Sequence, residues 1–255
     1  MSKASSVKHY TDFDGLFPAE QAALNHVALA ARGRPILDIG VGAGRTVHGL
    51  LELSTDYLGV DISQEMIAAC RQRFPGVAFQ LADARALTSV ADASMHLVMF
   101  SCSGIGMVSH ADRLLILREV HRVLEPGGVF LFSTHNQNSA DHAAGFKLPE
   151  LSFTPHPLRL LARLARFSKL TLLRMHRRAR FRRHELRNSQ YSLINDECHD
   201  YGVMLYYISL ANQRRQLESM GFEKDAEAFD GSGQRLSGDT HENTFMLIAR
   251  KPARP

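Results

Sequence analysis

The residues best suited to chemistry lie in one short window, Ile36-Leu37-Asp38-Ile39-Gly40-Val41-Gly42-Ala43-Gly44. A carboxylate stands inside it, and glycines occupy alternate positions of its second half. Glycine accepts left-handed backbone and lets the chain pass close against a ligand, so a turn of this kind can cradle a nucleoside-like group. Two common uses of glycine turns are disfavoured by position. A dinucleotide fingerprint needs a further glycine where Arg45 stands, and a phosphate loop needs a Gly-Lys-Ser/Thr triplet that is lacking after these glycines. Further carboxylates recur downstream at matching places: Asp61 closes the apolar run Tyr57-Leu58-Gly59-Val60-Asp61, and Asp83 comes after the run 77–81 within Ala82-Asp83-Ala84. Asp38 and Asp61 can each be read as turn formers, and Asp83 as a loop acid. Acids and glycines falling at successive strand ends speak for a built site.

The elements that must position these residues have a βα rhythm. A helical pattern over 19–31 is closed by Gly33; the strand 35–39 runs into the glycine turn, and Thr46 opens a second helical period. Ser63 is the expected N-cap of a helix with Met66, Ile67 and Cys70 inward. A fourth strand, 96–100, ends at Ser101-Cys102-Ser103, and an amphipathic helix over 112–124 is stopped by Glu125-Pro126-Gly127-Gly128 before a fifth strand, 129–134. The rhythm then breaks until a helix over 210–220 and two late strands, 223–229 and 244–250. Two runs in the break, 191–194 and 203–208, are expected to pair as an antiparallel hairpin. Alternation of this kind predicts an α/β, doubly wound, Rossmann-like and mostly parallel seven-stranded sheet with helices on both faces and an insert after the fifth strand. The expected division is a core of 1–135 and 209–255 with a basic α+β insert at 136–208.

Over about 33–135 the sequence resembles the class I S-adenosylmethionine-dependent methyltransferases. That resemblance implies S-adenosylmethionine as cofactor and assigns roles residue by residue. The position of Asp38 orients the methionine amino group, Gly40, Gly42 and Gly44 leave room for methionine and ribose, and Asp61 accepts from both ribose hydroxyls. Ile62 and Met66 pack on adenine, with inward core packing as the other reading of Met66. Asp83 and the Ala84 amide read the adenine edge, and Thr46 and Ser101 complete the set. A carboxylate accepting from a diol is a physical reason for an acid at the second strand end.

Methyl transfer from a sulfonium is a direct displacement that owes much to alignment, and it needs a base only where the acceptor must lose a proton. The candidate base is His135, after the fifth strand; its other reading is a histidine capping that strand. His110, His199, Tyr206 and Tyr207 are weaker candidates for lining the acceptor pocket, and Tyr10 for a lid, the alternative being a disordered arm. No cluster of paired acids with Asn points to a metal ion, so none is expected.

At 255 residues the chain can bury a full core as one domain with an elaboration, and 45% hydrophobic and 22% charged residues argue against a disordered or fibrous chain. No apolar stretch approaches membrane-spanning length and the start lacks a secretory core, so a cytoplasmic protein is expected. Cys70, Cys102 and Cys198 form no C-x-x-C pair and are read as small packing residues. The net charge of +4 is local: ten Arg and one Lys against Glu185 place +10 within 157–187, leaving −6 elsewhere. This stretch, helical over about 157–185, reads first as a solvated face whose Arg stems cover interleaved leucines. A nucleic-acid groove, a membrane-surface helix and a patch for an anionic acceptor are the alternatives.

The sequence thus points to a small-molecule acceptor, with methylation on oxygen or nitrogen, and a sugar or secondary metabolite among the candidates. The alternatives are an RNA or protein methyltransferase docking its polymer on the insert, or a non-catalytic nucleotide-binding regulator. Neither the acceptor nor the oligomeric state is written in the residues.

Overall fold

In the computed structural model, which describes residues 15–253, the strands of the main sheet feed two separate cores, and Ile194, Leu205 and Tyr207 form a third, small cluster. Tyr10 and Phe13 of the N-terminal arm lie outside the described residues. The first helix, α1 (Pro18–Ala31), opens on a proline whose missing N–H costs nothing at that position. It leads to β1 (Ile36–Ile39), α2 (Val47–Leu51), β2 (Tyr57–Asp61), α3 (Gln64–Arg73), β3 (Ala78–Leu81) and β4 (Met95–Phe100). A single 3-10 turn, Gly104–Gly106, precedes α4 (His110–Val123), which Ser109 caps by accepting from the Asp112 amide. This helix begins two residues before the expected start because Ser109, not a later residue, supplies the cap.

Strand β5 (Leu124–Asn136) is the longest, and it starts earlier than expected. Glu125-Pro126-Gly127-Gly128 does end the helix, but Leu124 already pairs with Met95 across an irregularity in the register. The order of the main sheet is then completed by β9 (Glu227–Phe229), β10 (Arg235–Leu236) and β11 (Thr244–Arg250), giving β10-β9-β11-β5-β4-β1-β2-β3. Strands β1 to β5 run parallel, and β11 enters antiparallel between β5 and β9. The late strand expected over 223–229 is shorter, since Asp225 adopts φ +60° and breaks the extended run.

The α/β class and mostly parallel sheet agree with the sequence, whereas the count of seven strands does not. Eight strands form the main path, because the Asp230 turn folds β10 back on β9, and three more come from the region 136–208. That region holds α5 (Ala140–Ala143), α6 (Pro157–Arg182), β6 (Leu186–Arg187), β7 (Ser192–Ile194) and β8 (Leu205–Ile208). The expected hairpin is present as β7 against β8. What the sequence did not announce is that β8 also pairs in parallel with the end of β5, through His135–Tyr207 and Asn136–Ile208. Helix α7 (Leu210–Ser219) comes immediately after.

Both faces of the sheet are covered, as a parallel sheet requires. Leu97, Met99, Leu131 and Met246 pack on Ala23, Leu24 and Val27 of α1 and on Ile67 of α3. Val98, Phe100, Phe130 and Phe132 face the other way, onto Ile116 and Val120 of α4 and Leu217 of α7. The strand order reverses between β1 and β4, so the carboxyl ends of β1, β2 and β4 surround the crevice where ligands of open α/β sheets bind.

Candidate functional site

Asp38 is carried on β1 into complete burial. Its Oδ2 accepts from Thr46 Oγ1 at 2.5 Å and from the Tyr57 hydroxyl at 2.9 Å, while Oδ1 has no partner among the described residues. Burial pushes this carboxyl up to about 6, with the Thr46 and Tyr57 bonds and the Arg45 charge opposing the rise. An ionised acid held by two hydroxyls with one oxygen unsatisfied is suited to receive a cation or a strong donor.

Because the folded value of Asp38 exceeds the usual 3.8, its contribution to stability is full below that pH and is lost as pH rises through about 6. The ligand-free protein should therefore lose up to about 3 kcal/mol from this group across that window. Urea denaturation at pH 4 and pH 7, compared with Asp38→Asn, checks the expectation: the difference between the two proteins should change with pH in this sense.

The glycine turn is left-handed at all three expected positions, with φ of +66° at Gly40, +57° at Gly42 and +88° at Gly44. Space is also short: a Cβ on Gly40 would stand 2.8 Å from the Phe100 ring, and one on Gly44 2.4 Å from the Phe74 ring. Asp61 pins this turn from the neighbouring strand, accepting from the Gly42 amide at 2.9 Å and the Ser63 amide at 2.8 Å. Beyond it Ile62 is 68% exposed, an apolar side chain beside the crevice, and Met66 sits half-buried in the first turn of α3. Ser63 caps that helix as expected. Asp83 is engaged by Arg85, whose Nε lies 3.0 Å from each carboxylate oxygen, which lowers its pKa; a carboxylate keeps acceptor capacity beyond such a pair. Ala84 is half-buried and Ser101 buried at the end of β4.

Past Ser101 the chain turns sharply. Cys102 and Ser103 both adopt left-handed backbone, at φ +51° and +53°, an arrangement that costs non-glycine residues of order 1–3 kcal/mol each. The Ser103 amide donates to Ser133 Oγ at 2.7 Å, holding the turn against β5. A cavity of about 400 Å³ opens beside it, lined among others by Phe17, Glu20, Cys102, Ser103, Ser133 and His135. Its roof is fixed by Arg45, which binds Glu20 through two bonds of 2.7 Å and stacks over the Phe17 ring. Cys102 is exposed, contrary to the packing role expected, because the left-handed turn brings its Sγ out to 3.3 Å from the Arg45 guanidinium.

His135 also lines a second cavity, of about 300 Å³, with Tyr207, Asp141 and Asp196. Its ring is tilted against that of Tyr207 at 5.1 Å, and no hydrogen bond to either nitrogen is found among the described residues. Burial depresses its pKa, Asp196 pulling the other way and Arg113 adding to the depression, so the imidazole is neutral near pH 7. A neutral, half-buried imidazole facing two cavities can accept a proton. The weaker candidates divide: Tyr207 joins His135, while His110 and Tyr206 line a third cavity, where His110 stacks on Tyr191 at 4.1 Å and bonds the Tyr206 hydroxyl at 2.8 Å. His199 lies in a turn with φ +52° and lines none of these three.

Three contributors were not singled out from the sequence. Tyr57 reaches Asp38 because β1 and β2 are in parallel register, which a strand pattern alone does not give. Glu20 is readable only as the N3 acid of α1, and Arg45 only as a departure from the dinucleotide pattern. Among the described residues no group of three or more His, Cys, Asp or Glu could hold a metal ion, and no helix is long and apolar enough to cross a membrane.

Residues 36–128 match the family described as Methyltransferase domain. The demethylmenaquinone methyltransferase of Chlorobaculum parvum is 33% identical over 94 residues, covering 36% of this chain and 37% of that protein. The malonyl-[acyl-carrier protein] O-methyltransferase of Erwinia billingiae is 30% identical over 162 residues, covering 64% and 60%. The chain spans less than half the length of the first curated relatives it matches. Among solved structures, the CcbJ methyltransferase from Streptomyces caelestis superposes with a TM-score of 0.60 at 19% identity, over 92% of this chain and 90% of that one. An S-adenosylmethionine-dependent methyltransferase from Mesorhizobium loti gives 0.58 at 20% identity, over 90% and 98%. These structural likenesses speak to the fold.

Proposed function

Because this chain belongs to the class I S-adenosylmethionine-dependent methyltransferases, we propose that it transfers the cofactor's methyl group to an oxygen or nitrogen of a small-molecule acceptor. The observation that carries the reading is the unsatisfied Oδ1 of buried Asp38 beside a left-handed glycine turn with no room for a Cβ at Gly40 or Gly44. An ammonium fits that oxygen, and a ribose and adenine fit the open backbone and exposed Ile62 beyond it. Gly40, Gly42 and Gly44 would take the methionine and ribose, with Thr46 fixing Asp38. Asp61 would hold the ribose hydroxyls, Ile62 and Met66 the adenine face, and Asp83 and Ala84 its edge, with Ser101 at the far wall. When bound, the cofactor supplies a methyl group on a positively charged sulfur.

The chain's own residues then have three tasks. The cavity between Phe17, Cys102 and Ser133 orients the acceptor, the Arg45–Glu20 roof limits water, and His135 takes the proton where the acceptor must lose one. Region 136–208 is read as a cap that shapes the second cavity beside Tyr207. Relatives named as a demethylmenaquinone methyltransferase and a ubiquinone biosynthesis O-methyltransferase support a small-molecule acceptor. A cytoplasmic location remains part of this reading.

The test is calorimetry with S-adenosylmethionine and S-adenosylhomocysteine, then an acceptor screen scored by S-adenosylhomocysteine release. Binding is expected with both, tightening as pH rises through about 6 because the ionised form of Asp38 receives the ammonium. No uptake of either compound overturns the proposal; tight binding without turnover on any acceptor favours a non-catalytic regulator instead.

A further inference from the structure

Helix α6 is unused by the chemistry above, and none of its 26 residues is buried. It touches the rest of the chain through one face. Arg174 Nε donates to Asp200 at 2.9 Å, Arg177 donates to the His199 and Asp200 carbonyls at 3.1 and 3.3 Å, and Arg178 pairs with Glu185 and the Asn195 carbonyl. These three arginines dock the second half of the helix, and Arg163 ties its first half to the preceding segment by donating to the Ser152 and Phe153 carbonyls at 2.9 Å.

The outward side has a different composition. Leu158, Leu161, Ala165, Ser168, Leu172, Met175 and Ala179 succeed one another at spacings of three and four, which places them in one row along the helix. Every member is exposed, Leu158 by 71%, Leu161 by 62% and Leu172 by 68%. Arg166, Lys169 and Arg180 each stand one residue after a member of that row and form an adjoining row; they too are exposed, without a carboxylate partner among the described residues. The helix contains no acid at all. Leu151 and Phe153, just before it, are also exposed.

A helix face solvated for its own sake does not need seven positions without a charge, and Arg stems do not cover these leucines. A partner must offer anionic groups and a hydrocarbon surface side by side. Nucleic acid offers phosphates but leaves the leucine row in water, and a second copy laid on this face would set arginine against arginine. We propose that α6 lies on the surface of an anionic lipid bilayer, its leucine row in the acyl boundary and its Arg and Lys row among the headgroups.

The full chain should co-sediment with vesicles of phosphatidylcholine containing about 30% phosphatidylglycerol, weaken as salt is raised, and ignore phosphatidylcholine alone. Lys169→Glu with Arg180→Glu should weaken binding by about fivefold or more for each charge changed. Leu161→Asp with Leu172→Asp should abolish it. Both pairs lie on the outward face, so unchanged melting temperature and S-adenosylmethionine affinity separate this result from misfolding and from failure of the methyl-transfer reading. The proposal is overturned by absence of binding to anionic vesicles at low salt, or by vesicle binding that survives the leucine changes. It is equally overturned if the chain captures a single-stranded RNA, or dimerises through this face, without binding vesicles.

Discussion

Replacement of His135 by alanine is expected to slow methyl transfer by about 10²- to 10⁴-fold on an acceptor that must lose a proton, the usual worth of a positioned base. S-adenosylmethionine affinity should stay as it was. The expectation rests on three properties of this side chain. It faces both cavities, neither ring nitrogen is engaged among the described residues, and burial with the Arg113 charge holds it neutral. In the wild type, kcat should rise with pH through a value below the ordinary histidine 6.5 and then level off. Steady-state rates from pH 5 to 9, with His135→Gln as a shape-preserving control, decide the matter. Unchanged turnover in His135→Ala would reduce this residue to a wall of the pocket.

The second large effect concerns Asp61. Its carboxylate already receives the Gly42 and Ser63 amides, so in Asp61→Ala the ribose would lose a charged acceptor and the glycine turn would lose its pin to β2. Hydrogen bonds to a charged group contribute about 1.5–3 kcal/mol each, so affinity should fall by about a hundredfold or more. Calorimetry measures the loss directly, and Asp61→Asn, which keeps the shape with a weaker acceptor, should fall between. Wild-type affinity in Asp61→Ala would remove the ribose assignment and leave Asp61 as a brace of the turn.

The parts of this site that the sequence disclosed are those carried by single segments. Ile36 to Gly44 is strand and turn within nine residues, and each glycine's role is fixed by its own backbone angle, so local pattern sufficed. Asp61 and Asp83 were visible because each closes an apolar run. What stayed hidden depends on neighbours remote in sequence. Tyr57 meets Asp38 only through strand register, Glu20 meets Arg45 only when α1 folds over the turn, and the paired left-handed residues Cys102 and Ser103 have no glycine to betray them. The two strands with no counterpart in the sequence reading, β6 and β10, are two residues long each, too short for periodicity to register.

The two-residue ladder between β5 and β8 bears on how this protein could be re-engineered. A cassette exchange meant to import a different acceptor preference could not be cut cleanly at 136 and 208, since that would sever the main-chain pairing that supports His135, the proposed base. Splicing should instead retain 205–208 with the recipient scaffold and exchange what lies between, so that the imidazole at the strand tip keeps its bearing.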